Sequence, residues 1–112
     1  VILNKTTNSV LSRQPRFATG FRDRLQGMIG RGFDAFDAIV FPRCSAIHTF
    51  FMSRKLDVIF LDSHNQILRT IPACPAWRPA FTCPGASSVI ELPEGTLTNT
   101  RTEPGNLLEL TF

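Results

Sequence analysis

His48 lies in the run Ile47-His48-Thr49-Phe50-Phe51-Met52, shortly before Leu56-Asp57-Val58-Ile59-Phe60-Leu61-Asp62, and together these are the densest apolar stretches of the chain. A histidine next to a carboxyl group suits a general base and the acid that orients it, because the acid sets the imidazole tautomer and steadies its cation. Asp57 and Glu91 are the natural partners for it. No nucleophile completes the set: Ser45, Thr49 and Ser53 are close in sequence, but none sits in a Gly-x-Ser-x-Gly elbow. A histidine among aromatics on a strand is also more often a hydrogen-bonded core residue than a base or a ligand.

Other residue types suggest binding rather than a reaction. Arg24 and Arg31 flank Gly27-Met28-Ile29-Gly30 and could fold toward Asp57, Glu91 or an anionic ligand, since a guanidinium group holds carboxylates and phosphates with two parallel hydrogen bonds. Trp77-Arg78 reads as the plug that packs a proline-rich loop onto the fold, or as a lid aromatic beside a cation. Cys44 and His48 have Cys-x3-His spacing, and Cys74 and Cys83 would have to complete a zinc site, but their separation is wider than structural zinc pairs use. Neither a metal nor another cofactor is expected. A Cys-x-x-Cys redox motif is absent from the sequence.

The 112 residues suit one domain, spanning residues 1–112, large enough to bury a core without metals or disulfides as staples. The net charge is +3 and unevenly placed. Lys5, Arg13, Arg16, Arg22, Arg24 and Arg31 face only Asp23 in the first 31 residues, whereas Arg101 faces Glu91, Glu94, Glu103 and Glu109 near the other end. A basic end attracts anions. Scattered arginines without a lysine run or an RNA-binding box argue against nucleic acid as the partner. Three cysteines leave one unpaired in a monomer, which together with the lack of a leader pattern favours the cytoplasm, although a trimmed signal peptide would leave the same sequence. No apolar run reaches the ~18 residues needed for a membrane span.

The elements that must position these groups are mostly short strands. Val1-Ile2-Leu3 and Ser9-Val10-Leu11 predict a small edge hairpin, Ala38–Phe41 a buried strand ended by Pro42, and Ile47–Met52 and Leu56–Leu61 two strands apolar on both faces. The Asp62-Ser63-His64-Asn65 cluster predicts a turn, making 56–71 a hairpin. Ser87–Leu92 reads as a strand with Ser88, Ile90 and Leu92 on one face and Val89 and Glu91 on the other. Leu107–Phe112 reads as the last strand, and Thr96–Thr102 as one helical turn or an irregular loop. Pro72–Gly85, with four prolines, predicts a long loop. Phe21, Leu25 and Met28 fall at helical spacing, so Phe21–Ile29 is the main helix candidate. The expected fold is mainly β within the α+β class: a compact, mostly antiparallel β-barrel or curled sheet of about seven or eight strands with one or two short helices.

Phe21-Arg22-x-Arg24-x-x-Gly27-Met28-x-Gly30-Arg31, Pro42-x-Cys44-Ser45-x-Ile47-His48-Thr49-Phe50-Phe51-Met52, Leu56-Asp57-Val58-Ile59-Phe60-Leu61-Asp62, Pro75-x-Trp77-Arg78 and Glu91-Leu92-Pro93-x-Gly95 occur in this order. With this order and spacing the chain resembles the domain-of-unknown-function 192 family, small uncharacterised prokaryotic single-domain proteins, over roughly residues 21–110. The resemblance implies a compact, mainly β fold and no established reaction. It marks Arg24, Gly27, Arg31, His48, Phe51, Met52, Asp57, Glu91 and Gly95 as the recurring motif positions. Where the family tends to have Gly-Asp, this chain has Gly105-Asn106, which puts any role of that carboxylate in doubt here.

These residues support a non-enzymatic binding or accessory domain that takes a small anionic ligand or a peptide at Arg24, Arg31, His48, Met52, Asp57, Trp77 and Glu91. A small hydrolase or transferase with His48 as base is the rival expectation. A purely structural role for the motif residues is the third.

Overall fold

The computed structural model describes residues 1–18, 37–47, 55–75 and 81–111. Their strands are β1 (Ile2–Asn4), β2 (Ser9–Ser12), β3 (Pro15–Phe17), β4 (Ala38–Pro42), β5 (Ala46–Ile47), β6 (Leu56–Leu61), β7 (Ile67–Cys74), β8 (Phe81–Thr82), β9 (Ser88–Pro93) and β10 (Leu108–Leu110). One short helix, α1 (Thr96–Thr100), lies between β9 and β10. The strands form a five-stranded sheet in the order β3-β4-β9-β6-β7, a three-stranded sheet in the order β10-β1-β2, and the pair β5-β8. All pairings are antiparallel except β3 with β4. The mainly β, mostly antiparallel expectation holds, with ten strands among the described residues rather than seven or eight.

Among the described residues the sheets do not close into a barrel. A single bridge between Gln66 and Leu107 is the ladder contact from the β7 side toward β10. Beyond it β7 carries Pro72, which has no N–H for a further strand, and Ala73, whose φ of 49° turns the backbone out of the extended form. The same pair explains a second departure. The predicted loop starting at Pro72 begins later, because β7 runs on to Cys74 as an edge strand, where a proline is tolerated.

β6 is buried at every position. Its alternation feeds two cores: Leu56, Val58 and Phe60 pack with Ile39, Phe41, Val89, Cys74 and Cys83, and Ile59 and Leu61 pack with Val40, Ile90 and Leu92 on the other face. The second group also meets Ile2, Leu11 and Leu108 of the three-stranded sheet and Leu97 of α1, so this core fills the space between the two sheets. The 56–71 hairpin forms as expected around Asp62, which accepts the N–H groups of His64 at 2.8 Å and Gln66 at 2.9 Å. The backbone bonds from Gln66 and His64 hold its carboxyl below the usual range. The Val1–Leu11 hairpin also forms with β2 at the sheet edge, while β10 returns from the far end of the chain and makes β1 the middle strand. The Phe21–Ile29 helix and the Ile47–Met52 strand beyond Ile47 lie outside the described residues.

Asn4, fully buried, locks that returning segment in place. Its amide donates to Thr102 Oγ1 and Asn106 Oδ1, both at 3.0 Å, and its oxygen accepts the N–H groups of Thr6 at 3.0 Å and Thr7 at 3.1 Å. Asn106 Oδ1 accepts a second bond from Glu103 N–H at 3.1 Å. Asn106 Oδ1 is therefore a double acceptor, a task that a carboxamide oxygen performs without charge. Truncating Asn4 strands several buried groups at once, so Asn4→Ala is expected to lower unfolding free energy by about 3 kcal/mol in urea titrations. Asn106→Asp, which keeps both acceptor roles, is expected to change it by less than about 1 kcal/mol.

Candidate functional site

Of the seven expected site residues, Asp57 and Glu91 are described, and Arg24, Arg31, His48, Met52 and Trp77 lie outside the described residues. The sheet separates the two acids. In the β6–β9 ladder Asp57 pairs with Leu92 and Val58 with Glu91, and directly paired residues point to the same face. Asp57 therefore faces the core between the sheets, and Glu91 faces the opposite side. A single imidazole cannot be oriented by both carboxyl groups across a sheet.

Asp57 is 1% exposed, and both of its oxygens are taken by backbone donors. Oδ1 accepts Ala73 N–H at 2.9 Å, and Oδ2 accepts Leu97 N–H at 2.8 Å. The first bond pins the left-handed residue that bulges β7. The second caps α1, because Gly95 at the N-cap has no side chain to do so. Gly95 itself sits at φ 96°, a conformation that strains residues with a Cβ. Two of the recurring motif positions thus combine in one device: Gly95 turns the chain out of β9, and Asp57 receives the helix that follows.

Glu91 is 5% exposed and lies in a row with Ile39 and Val58, with Ile71 beyond Val58. Among the described residues no side chain or backbone N–H donates a hydrogen bond to its carboxyl group. Burial alone pushes the group up to about 7, against an ordinary value of 4.5. Its neighbour in the same core is Cys74, whose thiol is pushed up to about 11, first by burial and then by the Glu91 charge, with Arg69 partly opposing. Such a thiol is a poor nucleophile near neutral pH, because the thiolate is the reactive form.

Cys44, Cys74 and Cys83 are all free thiols, so Cys74 and Cys83 are not joined by a disulfide. Among the described residues no three His, Cys, Asp or Glu side chains are gathered closely enough to hold a metal ion. Cys44 donates from its Sγ to Ala46 O at 2.9 Å. No local pattern brings Cys74 within electrostatic reach of Glu91, since β6 lies between their strands and their proximity depends on sheet order.

Residues 2–110 match the family DUF192, described as "Uncharacterized ACR". The chain belongs to the DUF192 family. Two UPF0127 proteins resemble it along almost its whole length. The one from Thermococcus sibiricus is 32% identical over 114 residues, 97% of this chain and 73% of that protein. The one from Thermococcus kodakarensis is 29% identical over 116 residues, 99% and 73%. Two crystal structures share the fold. A protein of unknown function from Novosphingobium aromaticivorans has a TM-score of 0.73 at 16% identity, covering 86% of this chain and 74% of that one. A putative transcription regulator from Sinorhizobium meliloti has a TM-score of 0.74 at 24% identity, covering 85% and 79%. For this DUF192 chain no described helix is long and apolar enough to cross a membrane.

The two acids are expected to respond differently. The folded state holds the Glu91 proton more tightly than the unfolded chain does, so its stabilising contribution is full below about pH 4.5 and is lost as pH rises through about 7. Urea titrations across that window are expected to show a fall of about 3 kcal/mol that Glu91→Gln abolishes. Asp57→Asn puts an NH2 group opposite a backbone donor. It is expected to cost about 2–3 kcal/mol at every pH in the same series.

Proposed function

We propose that this DUF192 domain is a non-enzymatic binding or accessory module that receives a small anionic ligand or a peptide on the sheet face bearing Glu91. The observation that carries this reading is a buried carboxyl group with no hydrogen-bond donor among the described residues. Burial of such a group is unfavourable unless something meets it. Held near neutrality, Glu91 can offer a proton as a hydrogen-bond donor to an anion, which an ionised carboxylate cannot do. In this reading Arg24, Arg31, His48, Met52 and Trp77 supply the charge and the apolar contacts. Asp57 is left out, because its two oxygens already hold the fold together.

One observation favours a second reading. A carboxyl group near pH 7 is also suited to proton transfer, so a hydrolase or transferase with His48 as base would take Glu91, not Asp57, as its acid partner.

Native mass spectra of the freshly purified protein, of Glu91→Gln and of His48→Ala test the proposal. The expected result is a co-purifying mass in the wild type that is lost in both variants while their folded charge-state envelopes are retained. An apo mass in the wild type, with Glu91→Gln more stable and otherwise unchanged, would make the buried acid a structural feature.

A further inference from the structure

A second site lies on the other side of the sheet from Glu91. Where the β1–β2 turn, the edge strand β7 and the end of α1 converge, an open groove of about 560 Å3 is lined by Thr7, Thr70, Pro72, Leu97, Arg101 and Glu103, among others. Small-molecule sites commonly enclose roughly 300–1,000 Å3. Thr7, on the groove wall, carries a hydroxyl that is buried and lacks a hydrogen-bond partner among the described residues. A polar ligand atom would relieve that deficit.

The charges on the rim point the same way. Arg101 and Glu103 stand two positions apart, and neither is in an ion pair among the described residues, where Lys5 and Glu109 form the one bridge. Their backbone is held in place. Arg101 ends α1 in a left-handed conformation with its N–H turned back to Thr98 O, and Glu103 N–H is bound to Asn106 Oδ1. Two opposite charges on a fixed turn attract a single ion only at one point and repel it at the other. A molecule with both charges satisfies both.

We propose that this groove binds a small zwitterion, either a free α-amino acid or a short peptide presenting both termini. Its carboxylate lies on Arg101, its ammonium group on Glu103, and a polar atom reaches the Thr7 hydroxyl, with Leu97 and Pro72 as the apolar wall.

The test is a titration of 15N-labelled protein followed by amide shifts, with alanine, Ala-Ala, acetate and ethylamine as probes. Alanine or Ala-Ala is expected to shift Thr7, Thr98, Arg101 and Glu103 with a dissociation constant of about 1 mM or tighter. Acetate and ethylamine should bind about tenfold more weakly, and Arg101→Gln and Glu103→Gln should each weaken the zwitterion about tenfold. The tighter of alanine and Ala-Ala identifies the source. Thr7→Val should weaken binding while leaving the melting temperature at or above that of the wild type, a combination that a merely structural hydroxyl would not produce. The proposal is overturned if neither zwitterion shifts these amides by about 20 mM, if acetate binds as well as Ala-Ala, or if the charge variants bind like the wild type.

Discussion

Six consecutive buried residues in β6 leave the Asp57 carboxyl group without access to water, and the surrounding structure is arranged to meet it. A polar group removed from solvent must find donors inside the protein or destabilise the fold. Here both donors come from backbone that has stepped out of regular structure: the bulge at Ala73 and the first turn of α1. Each irregular segment would otherwise hold an unpaired N–H. One side chain therefore joins the edge strand β7, its inner neighbour β6 and the helix that leads into the returning β10.

Glu91 occupies a comparable depth on the opposite face and is treated differently. Asp57 is satisfied by geometry close at hand, whereas the described surroundings of Glu91 are apolar residues and a thiol, so burial acts on it unopposed. Two acids, each within a strand, are thereby divided into one that secures the fold through two backbone hydrogen bonds and one that burial holds near neutrality. Their separation follows from the strand register. Asp57 pairs with Leu92 and not with Glu91, which fixes the faces of both.

Asn4 does for the three-stranded sheet what Asp57 does for the five-stranded one. Nearly a hundred residues separate it from Thr102 and Asn106, yet the three side chains meet in a buried network that draws the last strand against the first. In the sequence Asn4 is simply a polar residue opening a turn. Its importance comes from partners that no local pattern names. At Asn106 an amide suffices, because two donors, Asn4 Nδ2 and Glu103 N–H, converge on one oxygen.

Much of the fold was legible from alternation and turn chemistry alone. Strands β4, β6 and β9, the 56–71 hairpin and the faces of Val89 and Glu91 follow from period-two apolar patterns and the Asp62 turn, because those signals are local and recur every two residues. The motif residues alone also identified the family. Sheet order, the middle position of β1, the open edge at β7 and the division of Asp57 from Glu91 were decided by tertiary structure. These depend on which strands pair across tens of residues and in which register, and a shift of one residue would reverse every face without altering a local pattern.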